Sequence, residues 1–199
     1  MSCVRMFAVV LALTGAAFGN GHGVIFVNCT KGASLQMAVA DAEPGTSIKV
    51  VCACKGPITI ATDGLNLQGG NSASISATNA NVVIVNGATG ITLDGFTIGG
   101  GNNGVVVQNS SSVSFQTTTI TGLFGIDVEA SSSLIVTGSN TVQGSGVFGI
   151  QINNGSSISL TGANLQVTGN TLGIQIGTNA GGFLDGTSAL NTSNNFADG

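Results

Sequence analysis

Short apolar–polar–apolar triplets recur along the chain at a nearly constant interval. The first series occupies residues 83–85, 105–107, 126–128, 150–152 and 174–176, so successive triplets begin roughly 21 to 24 residues apart, as in a solenoid repeat. A second triplet follows each of the first four after eight residues, beyond a turn rich in Gly, Ser and Asn, and a third, looser one comes next. Three short strands and three turns in each period describe one coil of a parallel β-helix.

The alternation within each triplet predicts which side chains are buried. The outer two residues point inward and the middle one points outward, so stacked coils form aliphatic columns. One predicted column contains Val83, Val105, Ile126, Ile150 and Ile174, and the next contains Val85, Val107, Val128, Ile152 and Ile176. A leucine-rich repeat would carry a different leucine and asparagine pattern, and a β-sandwich would have no fixed repeat. The prediction is therefore all-β, a single-stranded parallel β-helix.

The region before the repeats predicts a cap. Residues 24–29 form a short strand, residues 34–43 an amphipathic helix with Ser34 as its N-cap, and residues 47–53 a second strand. We expect three parts in the chain: a signal peptide at 1–19, an N-terminal cap at 20–57 and the β-helix coils at 58–199. Glycines open successive coils, where we expect a bend or a positive φ: Gly104, Gly125, Gly149 and Gly173.

The segment 1–19 has the features of a secretory signal. Arg5 supplies the positive charge, residues 6–14 are apolar but too short to span a bilayer, and small residues precede a cleavage site after Gly19. We therefore predict a secreted or cell-surface protein. In that oxidising setting Cys29 forms a disulfide with Cys54, or alternatively with Cys52; the last two alternate on one strand and are not expected to pair with each other.

The charge distribution excludes two classes of partner. Charged residues make up only 6% of the chain, and residues 56–199 contain no Lys, Arg or His. Nucleic-acid binding needs cations that replace the counterions of phosphate, and attraction to anionic lipid needs them too. We therefore expect no nucleic-acid partner, and no membrane association after signal cleavage.

Several segments resemble the pectate-lyase-like, right-handed parallel β-helix proteins. Residues 29–36 and 38–50 are similar to that superfamily's N-terminal cap, residues 64–69 to its G-L-T-L-x-G strand, and residues 91–98 to its I-T-L-D-G-F-T-I rung. The resemblance covers about residue 24 to the C-terminus and implies the right-handed fold. It leaves function open, because members include lyases, hydrolases, epimerases and adhesins. The lyases use an Arg or Lys base, and the repeats here contain neither, so lyase activity is not expected.

One carboxylate pair is the candidate for chemistry. Asp127 and Glu129 lie two residues apart on the outward side of one strand, about 6 to 7 Å between Cα atoms, which suits the acid and base of a glycoside hydrolase. Neighbouring coils place amides beside them: Gln108, Gln151, Asn153 and Gln175. These side chains form a polar strip that can hydrogen-bond sugar hydroxyls. The simpler interpretation, which we favour, is a pair of solvated carboxylates, because no cation or aromatic platform accompanies them.

Other motifs are interpreted as structural. Asp94 and Asp185 each precede a Gly and are expected in turns. The acidic residues look dispersed, the cysteines and His22 lack zinc spacing, and no serine has a histidine partner within the repeats, so we predict no metal, no cofactor and no catalytic triad. Outward Thr and Ser columns are too interrupted for ice binding. The asparagine sequons are explained by the Asn- and Ser-rich composition.

The last coil is predicted to be uncapped. Residues 183–190 complete a coil, and neither a capping helix nor a charged strand follows in residues 194–199. An open coil exposes strand edges that invite pairing, so we expect either that the chain is a truncated member of a longer family, or that this end is covered by a partner or by self-association. The function expected first is that of a non-catalytic exported scaffold. Its surface would serve for binding or presentation, with polysaccharide as the expected ligand. The alternatives are a polysaccharide-active hydrolase, and a structural or adhesive protein that associates end to end through this coil.

Overall fold

A computed structural model describes residues 23–70 and 72–196 as a parallel β-solenoid of about seven turns, with 53% of residues in strands. The predicted parallel β-helix is therefore confirmed. The strands are β1 (Val24–Val27), β2 (Ser47–Val50), β3 (Ala53–Lys55), β4 (Ile58–Ile60), β5 (Asn66–Gly69), β6 (Ser74–Ser76), β7 (Val83–Asn86), β8 (Ile91–Asp94), β9 (Thr97–Gly99), β10 (Asn103–Gln108), β11 (Ser112–Gln116), β12 (Thr119–Ile120), β13 (Phe124–Val128), β14 (Ser133–Gln143), β15 (Phe148–Ile152), β16 (Ser157–Thr168), β17 (Leu172–Ile176), β18 (Gly181–Leu184) and β19 (Ala189–Ser193).

Each complete coil contributes one strand, or one part of a strand, to each of three sides. The first side stacks β1, β2, β5, β8, β11, the first parts of β14 and β16, and β18. The second side stacks β3, β6, β9, β12, the last parts of β14 and β16, and β19. The third side is a separate sheet of β4, β7, β10, β13, β15 and β17. Strands β14 and β16 pass round a corner without interruption and so join the first two sides.

The predicted aliphatic columns form on the third side. Val83 pairs with Val105, Val105 with Ile126, Ile126 with Ile150, and Ile150 with Ile174. The columns begin one coil earlier than the triplets indicated, because Ile58 and Ile60 pair with Val83 and Val85. Side chains in the middle of the columns are fully buried, whereas Ile176 in the last described coil is 51% exposed, since no other described coil stacks on it.

The helix of the N-terminal cap is shorter than predicted. Helix α1 spans Leu35–Ala40, and Ser34 caps it by accepting a hydrogen bond from the Met37 N–H at 3.2 Å. The predicted strand at 47–53 is divided by a corner into β2 and β3. A 3-10 turn at Cys29–Lys31 ends the first predicted strand. The helix and this turn contact β4 and β3, the first strands of the third and second sides.

The corner between β2 and β3 corrects one expectation about the cysteines. Val51 and Cys52 form the corner, strand alternation is lost there, and so Cys52 and Cys54 both point into the core. Their sulfur atoms are 4.0 Å apart, although alternation predicted opposite faces. Cys29 and Cys54 form the predicted disulfide, and Cys52 is a buried free thiol.

Polar ladders stabilise the corners of the solenoid. Between the third and first sides, the Ala88 N–H donates to Ser111 Oγ, the Ser111 N–H to Ser132 Oγ, and the Ser132 N–H to Ser156 Oγ. Between the first and second sides, the Thr118 N–H donates to Asn140 Oδ1 at 2.9 Å. These buried side chains accept hydrogen bonds from corner N–H groups that the sheets leave unpaired.

Glycines at the start of the coils have a role different from the one expected. Gly104, Gly125 and Gly149 do not have a positive φ. A Cβ on Gly125 would lie 2.3 Å from the Gly149 carbonyl oxygen, and one on Gly149 would lie 2.6 Å from that of Gly173. These positions require glycine because successive coils approach closely there.

Several sequence-based predictions fall outside the described residues. The signal peptide with Arg5, its cleavage site after Gly19, and His22 all precede residue 23 and stay predictions. Within 23–70 and 72–196, no helix has the length and apolarity needed to cross a bilayer.

Candidate functional site: the polar strip of the third side

The outer surface of the third side positions the predicted site residues on adjacent coils. Asp127 pairs with Val106 on one side and Gln151 on the other, and Gln151 pairs with Gln175. Glu129 continues strand β13 by donating its N–H to the Val107 carbonyl oxygen at 2.9 Å. Asn153 does the same against Val128 at 2.8 Å. We call Gln108, Asp127, Glu129, Gln151, Asn153 and Gln175 together the polar strip.

Asp127 is the most perturbed carboxyl of the strip. Partial burial, and then the neighbouring charge of Glu129, raise the pKa of Asp127 to about 6. Among the described residues, nothing donates a hydrogen bond to either of its oxygens. The pair therefore combines a half-buried carboxyl that keeps its proton up to about pH 6 with a second carboxyl group two residues away.

An apolar surface adjoins the carboxyl on the N-terminal side. Val106 lies in the middle of the β10 triplet and belongs to the outward series, yet only 3% of its surface is exposed and it is not part of the core cluster. Its partners on the adjacent coils are Ile84 and Asp127. Packing of Val106 beside Asp127 explains part of the desolvation that raises the Asp127 pKa. The triplet pattern does not reveal this burial, because it marks Val106 only as an outward residue.

The amides of the strip contact each other along the solenoid axis. Gln151 Nε2 donates to Gln175 Oε1 at 2.7 Å, and Gln108 Nε2 donates to Asn86 Oδ1 at 3.3 Å. Asn109 Nδ2 also donates to Asn86 Oδ1, at 2.6 Å. Each amide retains further donor or acceptor capacity after these bonds. The strip therefore offers hydrogen-bonding groups on several successive coils.

An aromatic pair lies on the same strands as the strip. Phe124 and Phe148 are half-buried, begin β13 and β15, and have ring centroids 5.8 Å apart at a tilt of 31°. No aromatic platform near the carboxylates was expected from the sequence. The two phenylalanines occupy equivalent positions in successive repeats, each two residues before an inward triplet, and that regularity was the signal that could have found the pair.

The other acidic candidates divide into two kinds. Asp63 accepts hydrogen bonds from the N–H and hydroxyl of Thr89, and Asp185 accepts them from Ser188 first, then from Thr187 and Gly162, which lowers the pKa of both carboxyls. Both are therefore turn residues. Asp94 was expected in a turn but is the last residue of β8, and it lines a groove of about 580 Å³ at the corner between the first and second sides.

The three described cysteines bring their sulfur atoms within 4.8 Å of one another. Cysteine binds metal as the thiolate, and Cys29 and Cys54 have no thiolate because they are joined in a disulfide. The cluster is therefore a disulfide beside a thiol rather than a set of three ligands.

Comparisons with known proteins found two similar solved structures. No protein-family model matches the chain, and no curated protein matches it. A crystal structure of a pectin methylesterase mutant in complex with a hexasaccharide is similar, with 10% identity, a TM-score of 0.45, and coverage of 84% of this chain and 82% of that one. An alginate lyase from Paenibacillus sp. str. FPU-7 is similar over 87% of this chain and 99% of that one, with 14% identity and a TM-score of 0.39.

Proposed function

We propose that the protein is an exported β-helix scaffold that binds a neutral polysaccharide along the polar strip without cleaving it. The observation that carries the proposal is the placement of hydrogen-bonding side chains on successive coils, at Gln108, Glu129, Gln151, Asn153 and Gln175. A polymer of repeating hydroxylated units can contact such a surface at several points at once. Many weak contacts in series then give useful affinity.

The charge of the strip favours a neutral ligand. Two carboxylates lie on this surface, and residues 56–199 provide no cation to pair with an acidic sugar. A polyuronate would therefore meet like charges without compensation, which costs affinity. Hydroxyl groups can instead donate to carboxylates and both donate to and accept from amides. The half-buried Phe124 and Phe148 add apolar surface suited to the C–H faces of sugar rings.

Export is supported by the N-terminal end of the described chain. The Cys29–Cys54 disulfide is of a type that forms and persists in oxidising compartments. It fits the predicted signal peptide at residues 1–19. An extracellular setting also provides polysaccharide as a ligand.

The binding proposal is tested by isothermal titration or affinity electrophoresis with neutral and acidic polysaccharides. The double variant Gln151→Ala/Gln175→Ala should weaken binding of the neutral ligand by about tenfold, because it removes about two hydrogen-bonding groups. The matched control is Gln68→Ala/Gln116→Ala, since these two glutamines flank Asp94 on the first side. Equal binding by both double variants would place the ligand elsewhere.

Hydrolysis is the second candidate function, and the perturbed Asp127 favours it. A carboxyl with a pKa near 6 can protonate a leaving-group oxygen, while Glu129 acts as base or nucleophile. The test is release of reducing ends, compared between Asp127→Asn, Glu129→Gln and the exposed control Asp41→Asn. Release that falls as pH rises through about 6, and that disappears in the first two variants only, would replace the binding proposal with this one.

Self-association is the third candidate function, and a separate surface favours it. Leu184 and Leu190 are 50% and 42% exposed in the last coil, whereas their partners in the preceding coil, Leu160 and Leu165, are buried. A structural or adhesive protein can use such an end to bind another copy of itself.

A further inference from the structure

The groove at the corner between the first and second sides is separate from the polar strip, which lies on the third side. Its volume of about 580 Å³ is within the range of small-molecule sites, about 300 to 1,000 Å³. Asp94 borders it, together with hydroxyl side chains that include Ser74, Thr97, Thr117 and Thr119. The groove therefore combines one carboxylate with several hydroxyls, and the binding proposed above uses none of them.

Glycines keep this groove open. A Cβ on Gly69 would lie 2.4 Å from the Gly95 carbonyl oxygen, and one on Gly95 would lie 2.6 Å from that of Gly69. Gly95 also has a φ of +74°, which side chains disfavour. The corner that joins β5 to β6 has four residues, whereas the corners that join β8 to β9 and β11 to β12 have two each. Two bare corners beside a longer one thus leave space next to Asp94.

The Asp94 carboxylate is not held by the protein itself. Among the described residues nothing donates a hydrogen bond to it, whereas Asp63 and Asp185 each accept hydrogen bonds from neighbouring Thr or Ser side chains. The partners of Asp94 on the adjacent coils are Gln68 and Gln116, which carry no charge. Asp94 is therefore a half-exposed acceptor that borders a cavity and has its hydrogen-bonding capacity unused.

No cation of the described chain compensates this carboxylate. None of the described residues that line the groove is Lys, Arg or His. Lys49 lies two strands from Asp94 in the same outward column, and its Nζ is 5.7 Å from the ring centroid of Phe26, one strand further away. An anionic ligand would meet Asp94 without compensation, whereas an ammonium group would supply the missing positive charge.

The hydroxyls add a second requirement for the ligand. Ser74, Thr97 and Thr119 pair in register on successive coils, so they form one outward row with a spacing of about 4.8 Å. Within the part of the chain that the structure describes, these three hydroxyls and that of Thr117 make no hydrogen bond. A hydroxyl both donates and accepts, so the row suits a ligand that itself carries several hydroxyls.

We propose that this groove is a second binding site, for an amino sugar whose free ammonium group pairs with Asp94 while its ring hydroxyls bond to the row at Ser74, Thr97 and Thr119. An exposed ion pair contributes little by itself, so both kinds of contact are needed for binding. The inference goes beyond the proposed function, because this site lies on other sides of the solenoid and takes a cationic ligand rather than a neutral one.

The first test compares three probes by isothermal titration at mildly acidic pH, where their amines carry protons: a glucosamine trimer, an N-acetylglucosamine trimer and putrescine. The glucosamine trimer should bind about tenfold more tightly than either of the others, because acetylation removes the charge and putrescine has no hydroxyls. The difference between the two trimers should disappear in Asp94→Asn and persist in Glu129→Gln, which removes a carboxylate of the polar strip instead. Equal binding of the two trimers by the wild type would overturn the inference, and so would equal binding of putrescine and the glucosamine trimer.

The second test fills the groove from within. Thr97 is exposed and borders the groove with Asp94, so Thr97→Lys would place its own ammonium group there and should abolish the preference for the glucosamine trimer. Thr141→Lys is the matched control, since Thr141 pairs with Thr119 in the same outward row but does not line the groove. Both variants change the net charge equally, and circular dichroism checks that both fold.

The same loss in Thr141→Lys as in Thr97→Lys would overturn the site, and so would a loss in Glu129→Gln that Asp94→Asn does not show. Binding of neutral polysaccharide at the polar strip is measured separately, through Gln151→Ala/Gln175→Ala. Failure of that binding would leave the groove unaffected, and failure of the groove would leave the strip unaffected.

Discussion

The Cys52 sulfur lies 4.0 Å from the Cys54 sulfur, although only one residue separates the two along the chain. Cys54 is bonded to Cys29, and the Cys52 sulfur also accepts a hydrogen bond from the Cys29 N–H. The corner at Val51 and Cys52 produces this arrangement by turning both side chains inward. Cys29 thus has two alternative partners within reach.

We predict that Cys54→Ser is rescued by Cys52. The three sulfur atoms lie within 4.8 Å of one another, so Cys29 and Cys52 should form a disulfide when Cys54 is removed. Cys29→Ser leaves no such substitute and should lower the free energy of unfolding by about 3 kcal/mol, as expected for a loop of this length. Non-reducing peptide mapping and urea denaturation measure the two effects. Cys52→Ser is the control and should keep the native bridge; two free thiols in Cys54→Ser would refute the prediction.

Asp127 should make stability depend on pH. Its folded-state pKa of about 6 lies above the ordinary value, so the folded state binds the proton more tightly and loses stability as pH rises from about 4 through about 6. Asp127→Asn should therefore stabilise the protein at pH 7 by about 1 kcal/mol, after allowance for solvent screening, and should have little effect at pH 4.

Urea denaturation of this variant at both pH values provides the measurement. The exposed control Asp41→Asn should show no such difference between pH 4 and pH 7. A gain of the same size at both pH values would mean that Asp127 is not desolvated in the folded protein.

The buried serines at the corner between the third and first sides, Ser111, Ser132 and Ser156, should each contribute measurably to the free energy of unfolding. Ser132→Ala removes the acceptor of the buried Ser111 N–H and should cost about 1 to 3 kcal/mol, because that donor is left without a partner. Ser157→Ala, at an exposed strand position, should cost much less. Thermal unfolding of the two variants distinguishes them, and equal midpoints would show that water replaces the lost acceptor.

Close approach of the coils should make Gly149 intolerant of a side chain. A Cβ there would lie 2.6 Å from the Gly173 carbonyl oxygen and 2.8 Å from Val167 Cγ1, so Gly149→Ala should destabilise by about 1 to 3 kcal/mol through displaced backbone. Gly181→Ala is the matched control, since a Cβ at that position would meet nothing within 4 Å and its φ is not positive. A Gly149→Ala protein as stable as that control would show that the coils can separate at low cost.

Much of the site followed from periodicity, and its electrostatics did not. The register that aligns Asp127, Gln151 and Gln175 is implied by triplets that recur once in each repeat. The raised pKa of Asp127 depends on how closely the neighbouring side chains cover it. Burial of an outward residue such as Val106 is likewise invisible in a pattern that records only inward and outward positions.

The sequence by itself determined the solenoid, because a repeat of about one coil with period-two alternation can bury its apolar residues only by stacking. It also determined the absence of cations over residues 56–199 and the cap marked by Ser34. The tertiary structure decided where the chain turns. The corner at Cys52 turns that thiol into the core. Close contact between coils leaves no room for a Cβ at Gly125 and Gly149. Corners and close contacts depend on residues that lie a whole coil apart in the chain, which local alternation does not relate to each other.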